Sequence, residues 1–157
     1  MPHAAAPRLL SRNDVDLLTV FYLGLTFDER RARFGGGISD HAVRHYCRSI
    51  AWDDVVVAAI AGRLLLRAVI EIHPLGPFGV GAEIVMPSSG HAVSQEAVAE
   101  MARVALAAAG DCGWRRFQVY DGRHVLSALV PLAAANGERP WLIAEIADRE
   151  ICQHCCC

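Results

Sequence analysis

The chain contains no lysine; all fifteen of its basic residues are arginine. That removes a lysine nucleophile or Schiff base from any chemistry it supports. A net charge of -2 at pH 7 provides no basic field, so neither nucleic acid nor an anionic membrane surface is an expected partner. No run of about eighteen apolar residues occurs, and no transmembrane helix is expected. The opening MPHAAAPRLL does not read as a secretion signal, because its apolar stretch is short and broken by Pro7 and Arg8.

The dispersed cysteines of a disulfide scaffold are also lacking. Cys47 and Cys112 stand alone, while Cys152, Cys155, Cys156 and Cys157 crowd the last six residues. A cytoplasmic, reducing location is expected from this usage. With His154, the tail offers soft ligands suited to zinc or copper(I). They are too crowded to wrap a tetrahedral ion easily, so no metal site is assigned and a frayed end is the simpler reading. A thiol- or metal-handling tail stays as the weakest alternative. No polybasic stretch accompanies the cluster to favour lipidation.

What is present is a globular composition. In 157 residues, 54% are hydrophobic and 20% charged, enough for one domain with a full core. The expected division is a single domain over residues 1–149 and a cysteine-rich tail over 150–157.

Ser11 is placed to cap a first helix, with Leu17, Leu18, Phe21 and Leu25 on one face. Thr26 and Glu29 have the spacing of a capping box that starts a short helix through Phe34. Ser39 starts another, where Val43, Tyr46, Cys47 and Ile50 recur at helical spacing. The pattern then turns extended. Strands are expected at Val55–Ile60, Arg63–His73 and Gly79–Met86, with Ala61 and Gly62 turning between the first two. In the second, Leu66, Ala68, Ile70 and Ile72 share one face, and Arg67, Val69, Glu71 and His73 the other. Ser94 begins the strongest helix, with Val98, Met101, Ala102, Ala105 and Ala109 as its buried stripe. Trp114–Tyr120 and Trp141–Ile146 read as strands, and Leu126 to Ala133 as a helix that Pro131 should kink. The fold class is α+β, with mixed α/β layers.

The segment LTFDERRARF, Leu25 to Phe34, is close to L-S-x-E-S-R-x-x-R-F, with Leu25, Thr26, Glu29, Arg30, Arg33 and Phe34 in register. Ala82 and Glu83 form an Ala-Glu pair on the strand after the hairpin, and Gly113-Trp114-Arg115-Arg116 is similar to Gly-Ile-Arg-Arg after a helix. Together these resemble one subgroup of the GNAT acetyltransferases, over roughly residues 8 to 146. The resemblance implies a central, mostly antiparallel twisted sheet flanked by helices, acetyl-CoA as acyl donor, and an amine acceptor, either a small molecule or a protein. A homodimer is the family-level expectation.

It also implies site residues. Glu83 is the expected base, acting on the amine directly or through water; an ion pair with an arginine across the sheet is its structural alternative. The main chain at Ile84, Val85 and Met86 would pair with the pantetheine arm. Gly90, Ser94 and Gln95 would lie at the loop and helix start that meet the pyrophosphate. The family's glycine positions there hold Glu96 and Val98, a carboxylate and a branched side chain where backbone should approach ligand. No tyrosine follows Tyr120 to serve as general acid, and Asn136 comes too late for the family's asparagine. Two functions therefore stand: an acyl-CoA-dependent N-acetyltransferase, or a catalytically inactive ligand-sensing or protein-interaction domain. Glu71 and His73 could help line the cleft, although a solvated or turn-capping histidine is the plainer reading. His91, Arg115 and Arg116 are candidate phosphate contacts, each with an exposed surface role as the alternative.

Overall fold

The computed structural model of the protein describes residues 6–36, 38–76, 80–85, 93–114, 116–120 and 142–146, with backbone alone at 82–85, 116–120 and 142–146. Its sheet begins earlier than the hydrophobic pattern suggests. Pro7–Leu9 forms β1, antiparallel to β2 (Val56–Ala61), with Pro7 opposite Ile60 and Leu9 opposite Ala58. Three residues containing a proline carry too little alternation to signal a strand, and this one lies at the sheet edge, where proline is tolerated.

Beyond β1 the chain follows its local signals. Ser11 caps a short 3-10 turn, Arg12–Asp14, reciprocated by Asp14, and α1 (Val15–Leu23) continues from it. Thr26 and Glu29 close the capping box of α2 (Phe27–Phe34): Thr26 Oγ1 accepts from Glu29 N at 3.3 Å, and Thr26 N donates to Glu29 Oε2 at 2.7 Å. Gly35 ends that helix in the left-handed region at φ 74°, a conformation that favours glycine. Ser39 caps α3 (Asp40–Ser49) through Ala42 N at 3.2 Å.

β2, β3 (Leu66–Pro74) and β4 (Val80–Val85) form an antiparallel meander. α4 (Gln95–Asp111) then crosses over, so that β5 (Arg116–Tyr120) pairs parallel to β4, and β6 (Leu142–Ile146) parallel to β5. The described sheet has six strands in sequence order. The helix expected at Leu126–Ala133 and the cysteine-rich tail lie outside the described residues.

Both faces of the sheet are covered. On one, Val98, Met101, Ala102, Ala105 and Ala109 of α4 pack on Ala58, Ile60, Ile70 and Ile72, the stripe that helical spacing picks out. On the other, Leu18, Phe21 and Tyr22 of α1 and Val43 and Cys47 of α3 pack on Val57, Ala59 and Val69. Each large apolar side chain so buried contributes about 1.5–3 kcal/mol. Two expected faces shift. Leu17 is exposed and Tyr22 takes its place inside. Leu66 joins the α1/α3 side, because the β2–β3 ladder changes register between Ile60 and Ala61. Among the described residues, no helix is long and apolar enough to cross a membrane, and no group of three or more potential ligands could hold a metal ion.

Candidate active site

The α1/α3 face of β3 carries one charge into the interior. Glu71 is fully buried, opposite Val57 on β2, and its carboxylate is surrounded by donors from three helices and its own strand. Tyr22 of α1 donates its hydroxyl to Oε1. Oε2 accepts from the Tyr46 hydroxyl of α3, from Arg33 Nη2 of α2 at 2.8 Å, and meets His73 Nε2 at 2.6 Å. Arg33 also donates to the Tyr46 hydroxyl at 2.9 Å. Its guanidinium lies over the rings of Phe34, Tyr46 and Tyr22 at 4.9, 5.4 and 5.6 Å from their centroids. An arginine in this setting is paired, hydrogen-bonded and stacked, the combination that makes burial of an ion pair tolerable.

Burial alone would push the Glu71 carboxyl up; the Arg33 charge and the hydrogen bonds from His73 and Tyr22 overcome it and hold the group at about 2. Both tyrosines move the other way. Burial, reinforced by the neighbouring Glu71 charge, raises Tyr22 and Tyr46, so each keeps its proton and remains a donor. Burial likewise raises the Cys47 thiol on α3.

This network explains the motif at Leu25–Phe34. Glu29 caps α2; Arg30 ties α2 to Asp40 Oδ1 and to Leu23 O, both at 2.6 Å; Arg33 neutralises Glu71; Phe34 packs edge-on against Tyr22 and Tyr46. The motif residues form the joint that fastens three helices to β3.

The sequence-based candidates divide. Glu71 does not line a cleft, being wholly enclosed. His73 is partly solvated, its side chain keeping 34% exposure, but its Nε2 is held by Glu71. Glu83 stands in register directly opposite Glu71, which puts it on the same sheet face. Glu71 makes a cross-element arginine pair of its own, with Arg33 of α2. Ile84 and Val85 continue β4 opposite Ile70 and Val69 of β3, beyond the described pairing with β5 at Glu83 and Tyr120. Ser94 is the N-cap of α4, its hydroxyl accepting from Ala97 N at 3.2 Å, and Gln95 is the exposed first residue of that helix. Val98 does not meet the ligand side. It is buried among Met101 and Ala102 on the sheet, whereas Glu96 is exposed in the first turn. Met86, Gly90, His91, Arg115, Asn136 and the terminal cysteines lie outside the described residues.

No protein-family model matches the chain, and no curated protein sequence does. Solved structures do. A probable acetyltransferase superposes with a TM-score of 0.57 at 13% identity, over 80% of this chain and 87% of that one. An aminoglycoside N-acetyltransferase, AAC(6')-Iy, solved in complex with CoA, superposes at 0.54 with 13% identity, over 97% and 99%. A ribosomal-protein-alanine N-acetyltransferase from Brucella melitensis biovar Abortus 2308 gives 0.51 and 12%, over 83% and 91%. With an antiparallel meander, a crossover helix and a parallel β4–β5 pair, the chain has the GNAT acetyltransferase fold.

Proposed function

We propose that the chain is an acyl-CoA-dependent N-acetyltransferase of an amine acceptor, with Glu83 as a base. The observation that carries this reading is the position of Glu83: it lies on β4 within the described parallel pairing with β5, and it sits in register beside the buried Glu71 network. There it would face the acceptor amine, and the main chain of Ile84, Val85 and Met86 would pair with the pantetheine arm. The CoA-bound aminoglycoside acetyltransferase, alike over nearly the whole of both chains, supports acetyl-CoA as donor.

The pyrophosphate would meet the start of α4, with the Gly90 loop leading in. Ser94 already accepts from two first-turn N–H groups, Ala97 N through its hydroxyl and Val98 N through its carbonyl. The donors assigned to phosphate are therefore those of Gln95 and Glu96, aided by the helix dipole. Free thiols at Cys47 and Cys112 accord with a reducing, cytoplasmic setting.

The reaction is tested by thiol release from acetyl-CoA against a panel of primary amines. Glu83→Gln is expected to lower the rate by about 10²–10⁴-fold, the usual worth of a general base, without weakening donor binding. A variant as fast as the wild type would remove Glu83 from the chemistry. A non-catalytic sensing or interaction domain is the second reading, favoured by the Glu96 carboxylate in the helical turn that should receive phosphate. Acetyl-CoA binding without thiol release to any amine would select it.

A further inference from the structure

An ammonium nitrogen gives up two protons on the way to an amide, and a single Glu83 takes one at a time. The structure offers a second acceptor on the same sheet face. His73 is the register partner of Gly81, and Glu71 that of Glu83, so His73 and Glu83 are diagonal cross-strand neighbours, roughly 7–8 Å apart between Cα atoms. Gly81 has no side chain to stand between the His73 ring and β5.

The network fixes the ring's proton. Glu71 Oε2 takes the hydroxyl proton of Tyr46 and an N–H of Arg33, and Oε1 takes the hydroxyl proton of Tyr22. A carboxylate receiving three donors, one of them a guanidinium, is ionised and has no proton to give. His73 Nε2, 2.6 Å from Oε2, must therefore be the protonated nitrogen; Tyr46 is farther, at 3.5 Å, with its own proton committed to Glu71. In the neutral ring, Nδ1 is then the nitrogen with a lone pair. The side chain is about one-third exposed, and its Nε2 is the nitrogen held by Glu71. The titratable and charged groups around it come from every element packed here: Tyr22 on α1, Arg33 on α2, Tyr46 and Cys47 on α3, Glu71 on β3, and Glu83 on β4 by register.

We propose that His73 Nδ1 is the base that first deprotonates the acceptor, a primary ammonium group, with Glu71 holding the imidazole in the Nε2–H tautomer. One N–H bond of the ammonium breaks and its proton forms a bond with the Nδ1 lone pair. The imidazolium that results is balanced by the adjacent Glu71 carboxylate. The freed amine lone pair then attacks the thioester carbon of acetyl-CoA, the C–S bond breaks, and the thiolate leaves. The second nitrogen proton passes to Glu83. This assignment rests on the N-acetyltransferase reading, but its structural half does not.

The test is a long-range ¹H–¹⁵N correlation of the imidazoles in the full-length, ligand-free protein, with His73 assigned by its loss in His73→Gln. The expected pattern is a single Nε2–H tautomer with Nδ1 unprotonated, which needs no acyl-CoA binding. An Nδ1–H tautomer, or averaging between the two, would overturn the proposal. Titration with n-butylamine hydrochloride at matched ionic strength should then shift the His73 Nδ1 resonance and leave the other six histidines in place. No shift at His73 would also overturn it, even if acetyl-CoA binds and thiol is released.

Discussion

Replacing Arg33 with methionine isolates the charge balance at Glu71. In the wild type the carboxyl is held at about 2 against an ordinary 4.5. At 1.36 kcal/mol per pH unit, the ionised state adds about 3 kcal/mol to stability. Because the folded value is the depressed one, that contribution is complete above about pH 4.5 and is lost as the pH falls toward about 2. Without Arg33 the buried carboxylate keeps Tyr22, Tyr46 and His73 but loses its counter-charge. Breaking such a pair costs about 3–5 kcal/mol near neutrality, a large share of the roughly 5–15 kcal/mol of a whole domain. Burial then dominates at Glu71, protonation relieves the penalty, and the gap to the wild type closes on acidification. Urea unfolding followed by circular dichroism, at neutrality and in steps down to about pH 3, measures that gap. Arg33→Met/Glu71→Met should recover most of the loss, since an apolar pair replaces both charges. A single variant within about 1 kcal/mol of the wild type at neutrality, or a gap that acid leaves unchanged, would refute the reasoning.

Three further substitutions separate structure from ligand binding at α4. Val98→Gly should destabilise the fold by about 2–4 kcal/mol, from a lost core side chain and a glycine in a helix, and should not open a ligand path; urea midpoints report the loss. Ser94→Ala removes the N-cap and should cost about 1 kcal/mol in the same measurement. Glu96→Gln, at an exposed position, should leave stability within about 0.5 kcal/mol and act on donor binding alone.

The parts of this fold legible in the sequence are those set by local rules. The α4 stripe from Val98 to Ala109, the capping box of Thr26 and Glu29, and the β2–β3–β4 meander follow from periodicity and cap chemistry, and all are present. β1 is not legible, since Pro7–Leu9 is held by its pairing with β2 and not by its own pattern. The Glu71 network escapes the sequence for a related reason. Its partners lie 49, 38 and 25 residues away, at Tyr22, Arg33 and Tyr46, and only the packing of three helices on β3 brings them together. One signal was available: a glutamate inside the β-branched run of β3, with Arg33 in an aromatic setting upstream. Strand alternation sets Arg67, Val69, Glu71 and His73 on one face without saying what covers it; the α1/α3 layer makes most of it core. Val98 shows the converse. Counting positions against a glycine motif sets it at the ligand, whereas the helix phase turns it into the hydrophobic core.

The central claim is that the start of α4 and the end of β4 receive an acyl-CoA. Isothermal titration of acetyl-CoA into the wild type and into Glu96→Gln tests it most directly. The account predicts binding by the wild type and about fivefold tighter binding by the variant, equivalent to the ~1 kcal/mol that an exposed carboxylate costs a nearby phosphate. No heat of binding from either protein, with both folded, would contradict it.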